Sequence, residues 1–153
     1  MGSIAPKTSK AGSRAVVALL LLILSPILIL FILLYFLWGA ILYLAIWLTH
    51  RKPFVVFVYS DSPTWKNYIE KEILPYVQDR AMILNWSERR HWKNSLAVLA
   101  VRYFGGHRNF NPMGLIFRPF HFVKTYRFFE AFKHGKVKKL EEIRSALLKE
   151  LEV

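Results

Sequence analysis

From Ala15 to Leu48 the chain runs 34 residues without a charged side chain, and nearly all of them are apolar. As a helix this run is about 51 Å long at 1.5 Å per residue. The hydrocarbon core of a bilayer is only about 30 Å thick. Two crossings would need about 40 residues plus a turn. The run therefore admits a strongly tilted single crossing, or a helix-break-helix that enters and leaves by one face. The break would fall at Ser25-Pro26 in "LLILSPILIL". Proline removes a backbone donor and kinks helices, and a serine hydroxyl can satisfy the carbonyl that is freed. The run is too long for the apolar core of a secretory signal, and no small-residue cleavage site follows it, so it is read as a retained anchor. The start "MGSIAP" places Pro6 where N-myristoylation needs Ser or Thr, so no lipid is expected there.

Three ranges follow: a basic tail at 1–14, a membrane segment at 15–50 and a soluble domain at 51–153. The net charge is +12, and nineteen basic residues face ten acidic ones after position 50. Lys7, Lys10 and Arg14 precede the apolar run, and Arg51 and Lys52 follow it. Positive flanks stay in the cytoplasm, which predicts a cytoplasmic soluble domain. Trp38, Tyr43 and Trp47 are expected as interface anchors, together with the Ser25-Pro26 pair inside the membrane. The basic balance predicts membrane lipid as a partner, with another membrane protein as an open second possibility. No nucleic-acid motif is present, and no nucleic acid is expected. The chain has no cysteine. That excludes disulfides, thiol catalysis and thiolate metal sites. The stretch from 14 to 37, with a basic flank, an apolar arm, Ser-Pro and a second apolar arm, resembles the re-entrant membrane helix of monotopic phosphoglycosyl transferases. No Glu-Asp dyad in a matching context follows it, so the resemblance implies topology and not chemistry.

After "THRKP" the pattern changes. "FVVFVY" (54–59), "AMILNW" (81–86), "MGLIFRPF" (113–120) and "FVKTYRFF" (122–129) read as strands. "SPTWKNYIEKEILPYV" (62–77) and "HWKNSLAVLAVRYF" (91–104) read as helices, the first ended or bent by Pro75 and the second closed by Gly105-Gly106. A terminal helix carries Val137, Leu140, Ile143, Leu147 and Leu151 on one face. The order is β-α-β-α-β-β-α, an α/β domain with a central sheet of four strands and a helix on each side.

This order resembles the thioredoxin-like fold over about 54–152. A helix opens directly after the first strand, at Ser62-Pro63-Thr64-Trp65-Lys66. Pro112 stands ahead of the third strand, where that fold usually has a cis-proline, and an amphipathic helix closes the chain. Ser62 and Trp65 stand where the family's two cysteines fall, so disulfide exchange is lost. The resemblance implies that the elbow, Ser62, Trp65 and Pro112, is kept for binding. A small membrane-bound, glutathione-transferase-like enzyme, using the Ser62 hydroxyl at the elbow, with Tyr59 nearby, to bind an anionic or thiol cosubstrate, is the rival reading. Against it, Asp61 or Ser62 serves simply as a helix cap.

Two polar stretches stand out. "NWSERRHW" follows the second strand and sets Glu88, Arg89, Arg90 and His91 between Trp86 and Trp92. Strand ends of α/β sheets are common ligand sites, and cations beside indoles suit a phosphate, a carboxylate or a partner surface. In the plainer reading Ser87 caps the next helix and the charges are solvated. "GGHRNFNP" leads into Pro112 and offers Arg108 as a second anion ligand. Glu88 and His91 form one Glu-x-x-His pair without a second, so no metal is expected. The region 117–136 mixes phenylalanines with Arg118, Lys124, Arg127 and Lys133, which suits core packing or a headgroup interface. No catalytic residue and no cofactor is assigned. The expectation is a membrane-anchored, non-redox binding or accessory module.

Overall fold

The computed structural model describes residues 10–50, 52–106 and 111–152. The chain divides into two compact units, the first closing at Trp38 and the second opening at Gly39.

Helix α1 spans Lys10–Thr49 with Pro26 inside it. Of the two alternatives the sequence admits, the helix-break-helix is not observed; helical structure is continuous through Ser25-Pro26. The local chemistry explains how. Pro26 has no N–H to offer the carbonyl of Leu22 four residues back. The Ser25 hydroxyl donates to that same carbonyl at 3.0 Å. Every residue from Val16 to Trp38 is exposed. These 23 residues would run about 35 Å as a helix, enough to cross a bilayer, and no protein surface in the first unit covers them.

The second unit is α/β. Its elements, after the end of α1, are β1 Phe54–Tyr59, α2 Lys66–Glu72, α3 Leu74–Val77, β2 Ala81–Asn85, α4 Leu96–Phe104, β3 Met113–Phe117, β4 Lys124–Arg127, α5 Phe129–Lys133 and α6 Val137–Glu152. The sheet is mixed, in the order β2-β1-β3-β4. β1 pairs parallel with β2, Val55 against Ala81 and Tyr59 against Asn85. β3 runs antiparallel to β1, Phe54 against Phe117 and Val58 against Met113. β4 runs antiparallel to β3, Ile116 against Lys124.

Strand alternation sends side chains to two cores. Val55, Phe57 and Ile116 meet Ile69, Ile73, Val77, Phe128 and Leu147 on one face. Phe54, Val56, Val58, Met113, Leu115 and Phe117 meet Ala97, Ala100 and Val101 of α4 on the other, and Ile46 of α1 joins them.

Element ends depart from the sequence expectation. Trp86 leaves β2 for a 3-10 turn over Trp86–His91. α4 begins at Leu96, not His91, because Ser95 caps it by accepting from Val98 N at 3.3 Å. The single helix expected over 62–77 is two: Pro75 sits in the first turn of α3 after a break at Ile73. β3 ends at Phe117, ahead of Pro119, and Phe129 opens α5 instead of ending a strand. Val137, expected on the apolar face of α6, is exposed at its first turn. The Asn111-Pro112 bond is cis, as the resemblance implied.

Candidate functional site

The register lines up the strand ends along two opposite edges that run across the strands, distinct from the sides formed by β2 and β4. Tyr59, Asn85, Met113 and Arg127 lie at one, and Phe54, Ala81, Phe117 and Lys124 at the other. The elbow and the basic-aromatic stretch both follow strands that end at the first edge.

At the elbow, polar groups are taken up by one another. Asp61 Oδ1 is 2.7 Å from Lys66 Nζ. Asn85 Nδ2 donates to Asp61 Oδ2 at 2.9 Å, and Asp61 N donates to Ser87 Oγ at 3.0 Å. Hydrogen bonds from Lys66 and then Asn85 hold the Asp61 carboxyl below its ordinary range, and the same contact with Asp61 raises Lys66. Neither expected cap is made in the expected form. Asp61 ties β1 to β2, while Ser62 Oγ accepts a long 3.4 Å bond from Thr64 N and α2 starts later, at Lys66. Trp65 turns toward α5, edge-on to Phe129 at 6.0 Å and tilted on Phe132 at 6.0 Å, with its indole N–H donating to Ser60 Oγ at 3.2 Å. Pro112 is buried, and its carbonyl accepts from Phe128 N at 2.9 Å.

The second half of this edge forms a cleft. Asn85 caps the 3-10 turn by accepting from Ser87 N at 3.0 Å, so Ser87 does not cap the next helix. The turn sets Trp86 and Trp92 edge to face, 5.4 Å apart at 83°. Trp92 Nε1 donates to the carbonyl of Asn85 at 3.0 Å, which fixes the ring. Arg89 lies 5.4 Å over the Trp86 ring, a cation–π spacing. Together with Arg102, Val101 and Gly106 these side chains line an open cleft of about 330 Å³. Glu88, Arg90 and His91 are exposed on the same turn but do not line the cleft. Arg108 lies outside the described residues. Among the described residues no three metal-ligating side chains come together. Arg102, in the last turn of α4, was not anticipated. Only packing brings it to Trp86, and nothing local in the sequence signals that.

At the opposite edge stand the residues expected at the membrane. Tyr43 is half-buried and donates its hydroxyl to the carbonyl of Arg118. Trp47 meets Phe120 edge-on at 5.4 Å. His50 stacks on Phe54 at 3.7 Å. Lys52 is exposed, as is Trp38 in the first unit. Arg51 lies outside the described residues. Gly39, Leu42 and Ile46 are buried against the second unit's core. Comparison with protein-family models, with curated proteins and with solved structures finds no match to this chain.

Proposed function

We propose that the chain is a membrane-anchored, thioredoxin-like binding module without redox chemistry, held on the cytoplasmic face by α1, which accepts an anionic group in the Trp86–Trp92 cleft. The thioredoxin-like assignment is supported by the strand order, the helix opening after β1, the cis Pro112 ahead of β3 and the closing α6. The cytoplasmic assignment rests on the basic excess after position 50, with Lys52 beside the anchor. The binding role rests on one observation: two guanidinium-bearing and two indole side chains line a single open cleft. Charge-assisted hydrogen bonds from Arg to phosphate are among the strong ones, about 1.5–3 kcal/mol each. The elbow beside it has its polar groups satisfied internally, so the cleft is the better receptor.

The test uses the full chain with Trp38, Trp47 and Trp65 each replaced by Phe, in neutral detergent, titrated with inorganic phosphate and with a short-chain anionic phospholipid, and read by the fluorescence of the remaining Trp86 and Trp92. A saturable change is expected, weakened about tenfold or more by Arg89→Ala combined with Arg102→Ala. A response to both ligands indicates phosphate chemistry alone, and a response to the lipid only indicates a headgroup with its chains. No response to either, or an unchanged response in the double variant, overturns the proposal.

A further inference from the structure

The six residues between β3 and β4, Arg118 to Val123, carry two phenylalanines that pack against no core. Phe120 is 89% exposed and Phe122 is 97% exposed. Single exposed apolar residues are ordinary on a protein surface. Three observations set this pair apart.

The first is backbone conformation. His121 N donates to the carbonyl of Arg118 at 3.2 Å, closing a turn with Pro119 at its second place and Phe120 at its third. Phe120 has φ of 60°, in the left-handed region. That is the pattern of a type II turn, whose third place ordinarily takes Gly or Asn. A bulky residue there is strained, and with its ring in solvent, burial does not offset the strain.

The second is continuity. Phe120 touches Trp47 of α1. Leu44 stands three residues before Trp47 and Leu48 one after it, so the three share a helix face. Leu44 is 46% exposed and Leu48 is 65% exposed. Leu44, Trp47, Leu48 and Phe120 thus form one apolar patch on the second unit, built from the last turns of the anchor helix and the turn that rests on them, and Phe122 stands exposed two residues further along that loop.

The third is charge. Arg118 and Lys124 close the loop at its two ends, and both pair with the single carboxylate of Glu150. One positive charge is left over at the rim of the patch. Aromatic rings bounded by cations suit the boundary between headgroups and acyl chains.

We propose that this patch is a second membrane contact, in which the Phe120–Phe122 turn inserts into the leaflet beside the anchor. It rests on the reading that α1 enters a bilayer. It also accounts for the excess length of the apolar run: the last turns of α1 bury one face in the domain and present the other to lipid.

The absence of cysteine makes the test clean. Single variants Phe122→Cys, Leu28→Cys and Thr64→Cys of the full chain carry a nitroxide label in nanodiscs of neutral and anionic phospholipid. Accessibility to oxygen, which partitions into lipid, is compared with accessibility to a water-soluble nickel chelate. Oxygen should dominate at positions 28 and 122, and the chelate at position 64 on the opposite edge. Phe120→Gly suits the turn and preserves the fold; adding it should shift position 122 toward the chelate. If position 122 behaves as position 64 while position 28 reports lipid, the anchor stands and the second contact is overturned. If position 28 also favours the chelate, both fall. If neither reagent reaches position 122, protein covers the patch and the lipid assignment is overturned.

Discussion

Glu150 joins three parts of the second unit through one carboxylate. It accepts from Arg118 after β3 and from Lys124 of β4, and lies 3.5 Å from the hydroxyl of Tyr126. The hydrogen bond from Lys124, and next that from Arg118, hold its carboxyl below the usual glutamate range, and partial desolvation only partly opposes them. A carboxylate whose pKa is lower in the folded state contributes stability above its unfolded pKa and loses it as pH falls through the folded value. Glu150→Gln should therefore cost about 1–2 kcal/mol near neutral pH, with Arg118 and Lys124 left facing each other. It should also flatten the fall in melting temperature below about pH 4.5. An unchanged acid limb would remove Glu150 from the account. None of these Glu150 contacts was legible beforehand. The α6 periodicity marks Glu150 as polar, but its partners are 26 and 32 residues away, and only the sheet brings them together. Trp86, Arg89 and Trp92 were found because they are close in sequence; Arg102 was not, because it is not.

Helix α1 shows why hydropathy reads an element's existence better than its surroundings. Leucine is as apolar against lipid as against a protein core, so Ala15–Leu48 looks uniform. The structure divides it: Leu42 and Ile46 are 2% and 1% exposed, while Leu28 and Leu33 are more than half exposed. The small residue at the boundary carries the difference. A β-carbon built on Gly39 would collide with the phenol end of Tyr103. Inside a helix alanine is favoured over glycine by about 1 kcal/mol. At an open site Gly39→Ala would therefore stabilise. Here the half-buried Tyr103 ring must move aside, and the expectation is that this outweighs the helix gain, overpacking costing about 1–3 kcal/mol where the neighbour is held. Near-ultraviolet circular dichroism should show a lower melting temperature for Gly39→Ala and partial recovery when Tyr103→Ala is added. A higher melting temperature in the single variant would mean that the last turns of α1 do not lie on α4. The strands, in contrast, were legible: β1 is a β-branched and aromatic run and β3 a short apolar one, both buried on both faces, and the errors fell at the strand ends, where Pro119 and the 3-10 turn intervene.

For the whole molecule, the order of the four strands and of the longer helices was readable, but the split of α2 from α3, the short α5 and the two edges of the sheet were not. Pairing Phe54 with Phe117 puts the β3–β4 turn beside the end of α1, and pairing Tyr59 with Asn85 puts the elbow and the cleft far from it. Strand directions that no local pattern encodes thus separate the edge that meets the end of α1 from the edge that carries the elbow and the cleft. Orientation across the bilayer then depends on the flanks of α1. Lys7, Lys10 and Arg14 compete with Arg51 and Lys52 for the cytoplasmic side. A hairpin would keep both flanks inside, but it needs a reversal of chain direction, and Ser25 supplies Leu22 with the hydrogen bond whose loss at Pro26 would favour one. A crossing helix leaves one flank outside, and under the proposed cytoplasmic placement of the second unit the tail is the one to cross. Ser3→Cys should accordingly react with an impermeant thiol reagent applied to intact cells, and Ser145→Cys only after permeabilisation. Shielding of both would establish the hairpin, and reaction of Ser145→Cys from outside would reverse the orientation. Pro26→Leu adds a control, because it should leave the labelling of a crossing helix unchanged and should expose Ser3→Cys only if the proline had been turning the chain back.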